Sequence, residues 1–551
     1  MPHDHSVDRR SLLRAAGVAT GVTVTGSLFG TGAASDVERT TADRFEAGAA
    51  RVEASPLPEH LDEGVYLGGF GVGPVREAEG VHDGCFARAL SVTAGTDTVA
   101  LAMLDLIGLG NVQLETIRRR AADRTGLDEQ HVLVGASHSH SGPDFQGLWG
   151  GVPPSYREYV VEKTVDAIAA AVESREPATA HVGSVDAPEH SSNRRGGGFT
   201  TETLTALQFR RADDGGRPPG DPPVGVPAGG PTADSTGEGD VLATLVSYAA
   251  HPTEIGSDNQ LVATDYIGPL ERSLEASEGG VAVFYPGAIG DASTAGGSGE
   301  TDFEEATDYG ETLADVAREA LADAESIAPG IAVRTGSVRL PLDNCLFRTA
   351  YAAGFLRPYY DGETPSGTAA STVAGAVGGV SPAGERAVRE VAGTAPDAVP
   401  LAIHSPIARV SLGREAGRLE LLTIPGEAVT RLGLQLEEIA DSDYRFLLGL
   451  TQNSLGYLVR EDEYGELEDR TYEETVSMGP DTAPIYRNGA RGLFDLPREP
   501  FERSPPEERT CPETLLELES QLQDLQYGEM SASVCCAGDA DHDHAAGRAD
   551  D

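Results

Sequence analysis

Two histidines spaced two residues apart close an apolar run in HVLVGASHSHSGP, residues 131–143. Val132, Leu133 and Val134 predict a strand, which then delivers His138 and His140. In extended backbone, residues i and i+2 point to the same side, so both imidazoles are expected to face one pocket at a strand end. Imidazole is the commonest metal ligand and the commonest acid/base near neutral pH. The same design recurs in LVSYAAHPTEIG, where a predicted strand ends at His251 and Pro252. Thr264-Asp265 follow, and a carboxylate there is expected to orient a histidine. A third apolar run, VAVFYPG, leads to the turn Ala288–Ser293, which could expose Ser293 Oγ. That turn lacks the GxSxG elbow, which excludes an α/β-hydrolase nucleophile. In LELLTIPGEAVTRLG a helix is expected to begin at Glu427, where a glutamate also has the ordinary role of complementing the helix dipole. Arg194, in Ser192-Asn193-Arg194-Arg195, offers a guanidinium for a substrate oxygen or carboxylate. Tyr457, Tyr464 and Tyr472 stand in a Gly-punctuated segment, where packing is the usual role of a tyrosine.

The elements that must position these residues alternate between strand and helix. Strand-like CFARALSV and TVALAMLDLIG precede a helical stretch at Gln113–Thr125, and a second amphipathic helix is expected at Tyr156–Ser174. LTALQFR and VLATLVSYAA predict a hairpin, joined by the Gly-, Pro- and Asp-rich residues 211–240, which cannot pack and are expected to be disordered. Further strands are expected at 330–340, 406–412 and 418–424, and helices at 308–326, 428–440 and 512–526. The pattern predicts an α/β fold of mixed sheets with helices, in a single large domain spanning residues 61–528. Residues 36–60 read as a polar linker and 529–551 as a disordered acidic tail.

The charge balance is extreme: 41 Lys+Arg stand against 88 Asp+Glu, a formal net charge of −47. Lys163 is the sole lysine. Such a surface suits concentrated salt, where self-repulsion is screened, and points to a salt-loving microbe. It excludes nucleic acid as a partner, since phosphate binding needs basic stripes. Arg9-Arg10-Ser11-Leu12-Leu13 precede an uncharged stretch, Ala15 to Thr31, and small residues at Gly32–Ser35. Residues 1–35 therefore read as a twin-arginine export signal, with an extracellular or cell-surface destination. Of the five cysteines, Cys85, Cys345, Cys511, Cys535 and Cys536, no two form a CxxC pair, so a structural zinc knuckle is not expected. An odd number leaves at least one thiol free.

HSHSGP, NR, HPT, GDxS, PGE and SxGY occur in one order along the chain, and in that order the sequence resembles the neutral/alkaline non-lysosomal ceramidase family. The resemblance covers roughly residues 64–500, and GVHDGCFARAL is similar to that family's opening segment. It implies a zinc-dependent amidase acting on N-acylsphingosine, with one zinc per chain. By the matching motifs, His138, His251, Glu427 and Tyr457 would be zinc ligands. His140 and Tyr472 would stabilise the developing oxyanion, Arg194 would help position the substrate, and Ser293 matches a serine for which a nucleophilic role is proposed. The chemistry of the residues agrees. Two imidazoles and a carboxylate make a catalytic-type zinc shell with a position for water, and His140 is the natural proton carrier to the leaving amine. Attack by metal-activated water is favoured over a covalent Ser293.

The sequence departs from the family in several places. GDxSPN is here GDASTA, and HTHSGPGG is HSHSGPDF, with Asp144 and Phe145 where small residues are usual. No C-terminal immunoglobulin-like domain is expected. These departures bear on the substrate, which is a small-molecule or lipid amide. Transient contact with a membrane surface is compatible with a lipid. Two alternatives stand beside the ceramide-like reading: a zinc hydrolase on a non-lipid N-acyl substrate, and a non-catalytic exported metal-binding protein on the same fold. Trp149, the single tryptophan, could line the pocket mouth or pack.

Overall fold

The computed structural model describes residues 40–196, 201–212, 241–344, 347–348, 350–351, 355–362, 402–464 and 472–502. The expected signal, the insert beyond Ala212, the helix at 512–526, the acidic tail, and all cysteines but Cys85 lie outside these residues. Cys85 is buried and free.

Two sheets pack face to face between outer layers of helices. The larger runs in the order Val281–Pro286, Val241–Tyr248, Thr203–Arg211, Glu176–Asp186, Phe45–Glu53, Phe86–Ala94, Asp97–Leu104 and Val132–Ala136, with Glu325–Ile327 added beside Glu176–Asp186. The smaller runs Thr40–Thr41, Gly330–Pro341, Ala402–Leu412, Leu419–Thr423 and Tyr444–Leu448. Alternation along each strand sorts the side chains into layers. In Asp97–Leu104, Val99, Leu101 and Met103 face the second sheet, where Val410, Leu421 and Phe446 meet them. Ala100, Ala102 and Leu104 turn the other way, into a core shared with the helices Asn111–Thr125 and Pro154–Glu173. Helices Ile267–Glu278 and Asp302–Ala322 cover the other half of the large sheet. Helices Thr430–Ala440 and Thr482–Leu493 cover the small one. The mixed α/β expectation holds, as does the hairpin, in which Thr203–Arg211 pairs antiparallel with Val241–Tyr248.

Two expectations are corrected. Residues 45–53 are not linker but a central strand, paired with both Phe86–Ala94 and Glu176–Asp186. On the face toward the helix Pro154–Glu173 it carries Gly48 and Ala50, and the helix end presses so close that a Cβ on Gly48 would meet Ala171 O at 2.4 Å, while Ala47 and Ala49 turn to the second sheet. Small side chains here mean tight packing, and they hide the strand from a reading based on apolar bulk. Arg211, taken as the start of the insert, still pairs with Ala178 at the strand end.

Strands at opposite ends of the large sheet, Val132–Ala136 at one edge and Val241–Tyr248 next to the other, carry the histidine loops toward each other. Val132–Ala136 runs parallel to Asp97–Leu104, and Val241–Tyr248 runs parallel to Val281–Pro286. The segment Gly449–Gln452 stitches these distant ends together: Gly449 N–H donates to Pro286 O at 2.7 Å, the Ala136 amide to Leu450 O at 3.1 Å, and Gln452 N–H to Val134 O at 2.8 Å. No described helix is long and apolar enough to cross a membrane.

Candidate metal centre

His138, His140 and His251 meet in the interior, each at most 6 % exposed, with ring centroids 4.7–5.0 Å apart. Their ligand atoms lie within 4.8 Å of one another. The two loops are tied by the backbone, His140 N–H donating to Pro252 O at 3.1 Å. His138 and His140 do share a pocket, but not by extended alternation. His138 has φ of 67°, in the left-handed region, and its amide returns to Leu106 O at 2.9 Å. A non-glycine residue held there costs on the order of 1–3 kcal/mol and persists where the surroundings over-determine it.

Two of the three rings have a fixed tautomer. His138 Nδ1 lies 2.6 Å from Ile107 O, and His251 Nδ1 lies 3.0 Å from Ile289 O. A carbonyl only accepts, so each Nδ1 carries the hydrogen and each Nε2 presents a bare lone pair. These two lone pairs face each other at 3.1 Å. Glu427 Oε2, also buried and without a hydrogen-bond donor, stands 3.2 Å from His138 Nε2 and 3.8 Å from His251 Nε2. Three electron-rich atoms converging in a dry site repel one another unless a cation joins them, and two imidazole nitrogens with a carboxylate suit a divalent ion such as zinc. The residues present fit the metal. His140 is different: its Nε2 is 2.9 Å from His251 Nε2, but its Nδ1 is buried without a partner. Burial, then the charges of His251, His138, Arg76 and Arg194, hold its pKa well below the usual histidine value. His251 is lowered likewise, by burial first and then by Arg194.

Glu427 does not open a helix. It belongs to a two-residue strand, Glu427–Ala428, paired in parallel with Tyr457–Leu458, and the helix starts at Thr430. A Cβ at Gly426 would meet Gly456 O at 2.4 Å, and a Cβ at Gly290 would meet the backbone of Ala428 at 2.7 Å, so the strand is wedged between two chain segments. This pairing sets Glu427 directly beside Tyr457, two residues that the motif order alone could not show to be neighbours. The Tyr457 ring lies 6.5 Å from that of His251, nearly parallel to it.

Arg194 joins the cluster. Its Nε donates to Glu473 at 2.7 Å, Nη2 donates to Tyr457 Oη at 3.3 Å and to the Gly290 carbonyl, and Nη1 stands 3.4 Å from His251 Nδ1. Glu473 is held below the usual glutamate range: burial raises it, but the charge and hydrogen bond of Arg194 more than offset that. Tyr472 packs edge-on to Tyr457, with centroids 5.8 Å apart, and its hydroxyl donates to Gly71 O at 3.2 Å. Ser293 pairs backbone to backbone with His251. Among the described residues its hydroxyl bonds to neither a histidine nor a carboxylate.

The overall fold is shared with solved structures. Neutral ceramidase from Pseudomonas aeruginosa matches with a TM-score of 0.59 at 18 % identity, covering 84 % of this chain and 76 % of that one. A ceramidase solved in complex with C2 matches at 0.60 and 19 %, covering 84 % of this chain and 77 % of that one. The fold is that of a neutral ceramidase. No family model and no curated protein matches the sequence.

On this ceramidase fold one expectation changes, that for Asp265. Asp265 orients no imidazole; it accepts the amides of Glu254, Ile255 and Tyr266, fixing the loop after His251, and the imidazoles are oriented by the Ile107 and Ile289 carbonyls instead. Asp144 accepts the amides of Gln146, Gly147, Trp149 and Gly151, pinning the turn that follows the histidines, and Phe145 is buried against Tyr156. Trp149 is buried and anchors a turn, its Nε1 donating to Gly71 O at 2.7 Å. Sequence reasoning missed Glu473 and Arg76. The only cue for Glu473 was the Tyr-Glu-Glu run, and Arg76 carried none.

Proposed function

We propose that this chain is a zinc-dependent amidase that hydrolyses the amide of an N-acylated, ceramide-like substrate, with one metal held by His138, His251 and Glu427 and with Tyr457 as the fourth donor. The observation that carries the reading is the pair of carbonyl-anchored imidazoles whose lone pairs converge beside an orphaned carboxylate oxygen. The ceramidase fold supports it. Bound zinc lowers the pKa of water to about 7 and polarises a carbonyl.

The remaining work falls to side chains. His140, neutral and unanchored at Nδ1, is free to take a proton and pass it to the leaving nitrogen. Tyr472 can donate to a developing oxyanion by releasing the Gly71 carbonyl. Arg194 holds Tyr457 and Glu473 in place and is near enough to orient a substrate oxygen. Ser293, with no base in contact, fits a hydrogen-bonding role better than that of an activated nucleophile. A small apolar cavity of about 20 Å³, lined by Leu148, Leu342, Phe347, Leu356, Leu455 and Met478, lies beside Gly456, the residue before Tyr457. Export by the twin-arginine route and transient membrane-surface contact belong to the same proposal.

Metal content and hydrolysis of fluorogenic N-acyl amides, measured on the parent and on His138→Ala in high salt, test the reading. About one zinc per chain with turnover, both lost in the variant, is the expected result. Zinc without turnover of any amide would reject the amidase, and protein that takes up no zinc would reject the metal centre.

A further inference from the structure

Arg76 is buried beside the histidine cluster with no carboxylate partner among the described residues. Arg88 pairs with Glu271 and Glu275, Arg194 with Glu473, and Arg409 with Glu420. Arg76, 5 % exposed, has no acidic group within 4.0 Å among the described residues. In a chain with more than twice as many acidic as basic residues, a partner was cheap to supply. Nη2 is committed to backbone, donating to His140 O at 2.6 Å, to Gly69 O at 3.3 Å and to the Gly68 carbonyl. Nε and Nη1 are buried with no hydrogen-bond partner. Three N–H groups of a cation are thus left unmatched in the interior, an arrangement that is strongly unfavourable unless an anion completes it.

The position of this charge relates it to the centre. The guanidinium lies 4.9 Å from the centroid of Phe70, and the Phe70 ring stands edge-on to His140 with centroids 4.8 Å apart. Between them runs the Gly68–Gly73 turn, which presses on the same histidine: a Cβ at Gly69, whose φ is 85°, would meet His140 Nδ1 at 2.3 Å. Burial lowers the Arg76 pKa to about 10, so it stays charged at neutral pH. His140 is the residue assigned to the leaving nitrogen, so a group reaching Arg76 comes from the amine half of the substrate.

We propose that Arg76 receives a carboxylate on the amine half of the substrate, making the preferred substrate an N-acyl amino acid instead of a neutral N-acyl amino alcohol. This rests on the amidase reading above, keeps its N-acyl amide, and replaces the ceramide-like amine half with an amino acid. A carboxylate supplies acceptors for Nε and Nη1 that a hydroxyl cannot match in charge.

The test compares the zinc-loaded protein on N-lauroyl derivatives of glycine, β-alanine and 4-aminobutyrate with their methyl esters. The parent is expected to favour at least one free acid over its ester by roughly 10- to 100-fold in kcat/KM, the range of a hydrogen bond to a charged group. In Arg76→Met that ratio is expected to collapse toward one, and in Arg76→Lys to fall partway. Binding is read separately on chelator-treated protein by calorimetry with the same N-lauroyl acids, where the parent binds the acid more tightly than the ester and Arg76→Met does not. Parent protein that hydrolyses esters and acids equally well, and binds them equally, overturns the proposal while leaving the amidase intact, and this arm needs no variant to fold. Absence of all amide turnover with acid-selective binding retained would instead sink the amidase and leave the anion site standing.

Discussion

At the scale of single residues, the three histidines divide by what their second nitrogen does. A metal-ligating histidine nearly always donates its other N–H to a carbonyl, carboxylate or water. His138 and His251 do so and His140 does not, although its Nε2 is as near to His251 as that of His138. His140→Gln is therefore expected to keep about one metal per chain while kcat falls by roughly 10²- to 10⁴-fold, the usual contribution of a positioned proton carrier. Metal analysis beside kinetics separates the roles: loss of the metal in this variant would make His140 a third imidazole ligand. The sequence made these residues visible because chemistry-bearing types sat at strand ends. It could not show which imidazole is anchored, since the anchors are the carbonyls of Ile107 and Ile289, and a carbonyl is common to every residue.

At the scale of elements, the candidate site is assembled by short pairings that leave almost no pattern in the chain. The strand Asp97–Leu104 was legible as an apolar run, and the helix Pro154–Glu173 because burial of one face imposes a period over its 20 residues. Glu427–Ala428 and Tyr457–Leu458 are two residues each, too short for any period, and the Pro-Gly before Glu427 imitates a helix start. The turn Tyr472–Thr475 is likewise held from afar, by Arg194 and Arg195 on Glu473. Because the Glu473 pKa is depressed in the folded state, its contribution to stability is present above the unfolded glutamate value of about 4.3 and is lost as pH falls below it. Thermal unfolding followed from pH 7 to pH 3 should show this loss in the parent. Glu473→Gln should start lower at pH 7 and lose less on acidification. Equal acid slopes in the two proteins would mean that the ion pair does not hold the turn.

At the scale of the whole molecule, two kinds of electrostatics oppose each other. Inside, Arg88 between Glu271 and Glu275 at 2.6 Å, and Arg409 on Glu420 at 2.8 Å, are screened much less by solvent ions than exposed pairs are. Outside, a formal charge of −47 drives the compact state apart, over a Debye length of about 10 Å at 0.1 M salt but only about 3 Å at 1 M. The exposed ion pairs, such as Arg120 with Glu158 and Arg124 with Asp166, are each worth little and weaken with salt, so they cannot reverse the trend. Raising KCl from about 0.1 M to about 2 M should therefore raise the Tm, by about 1 °C for each kcal/mol of self-repulsion relieved in a chain of this size. Differential scanning calorimetry across that range, repeated with a non-ionic osmolyte, decides the matter. A rise with KCl alone identifies charge screening and supports adaptation to concentrated salt. A flat or falling Tm would mean that the acidic surface serves another purpose, and the salt-loving reading of the composition would have to be given up.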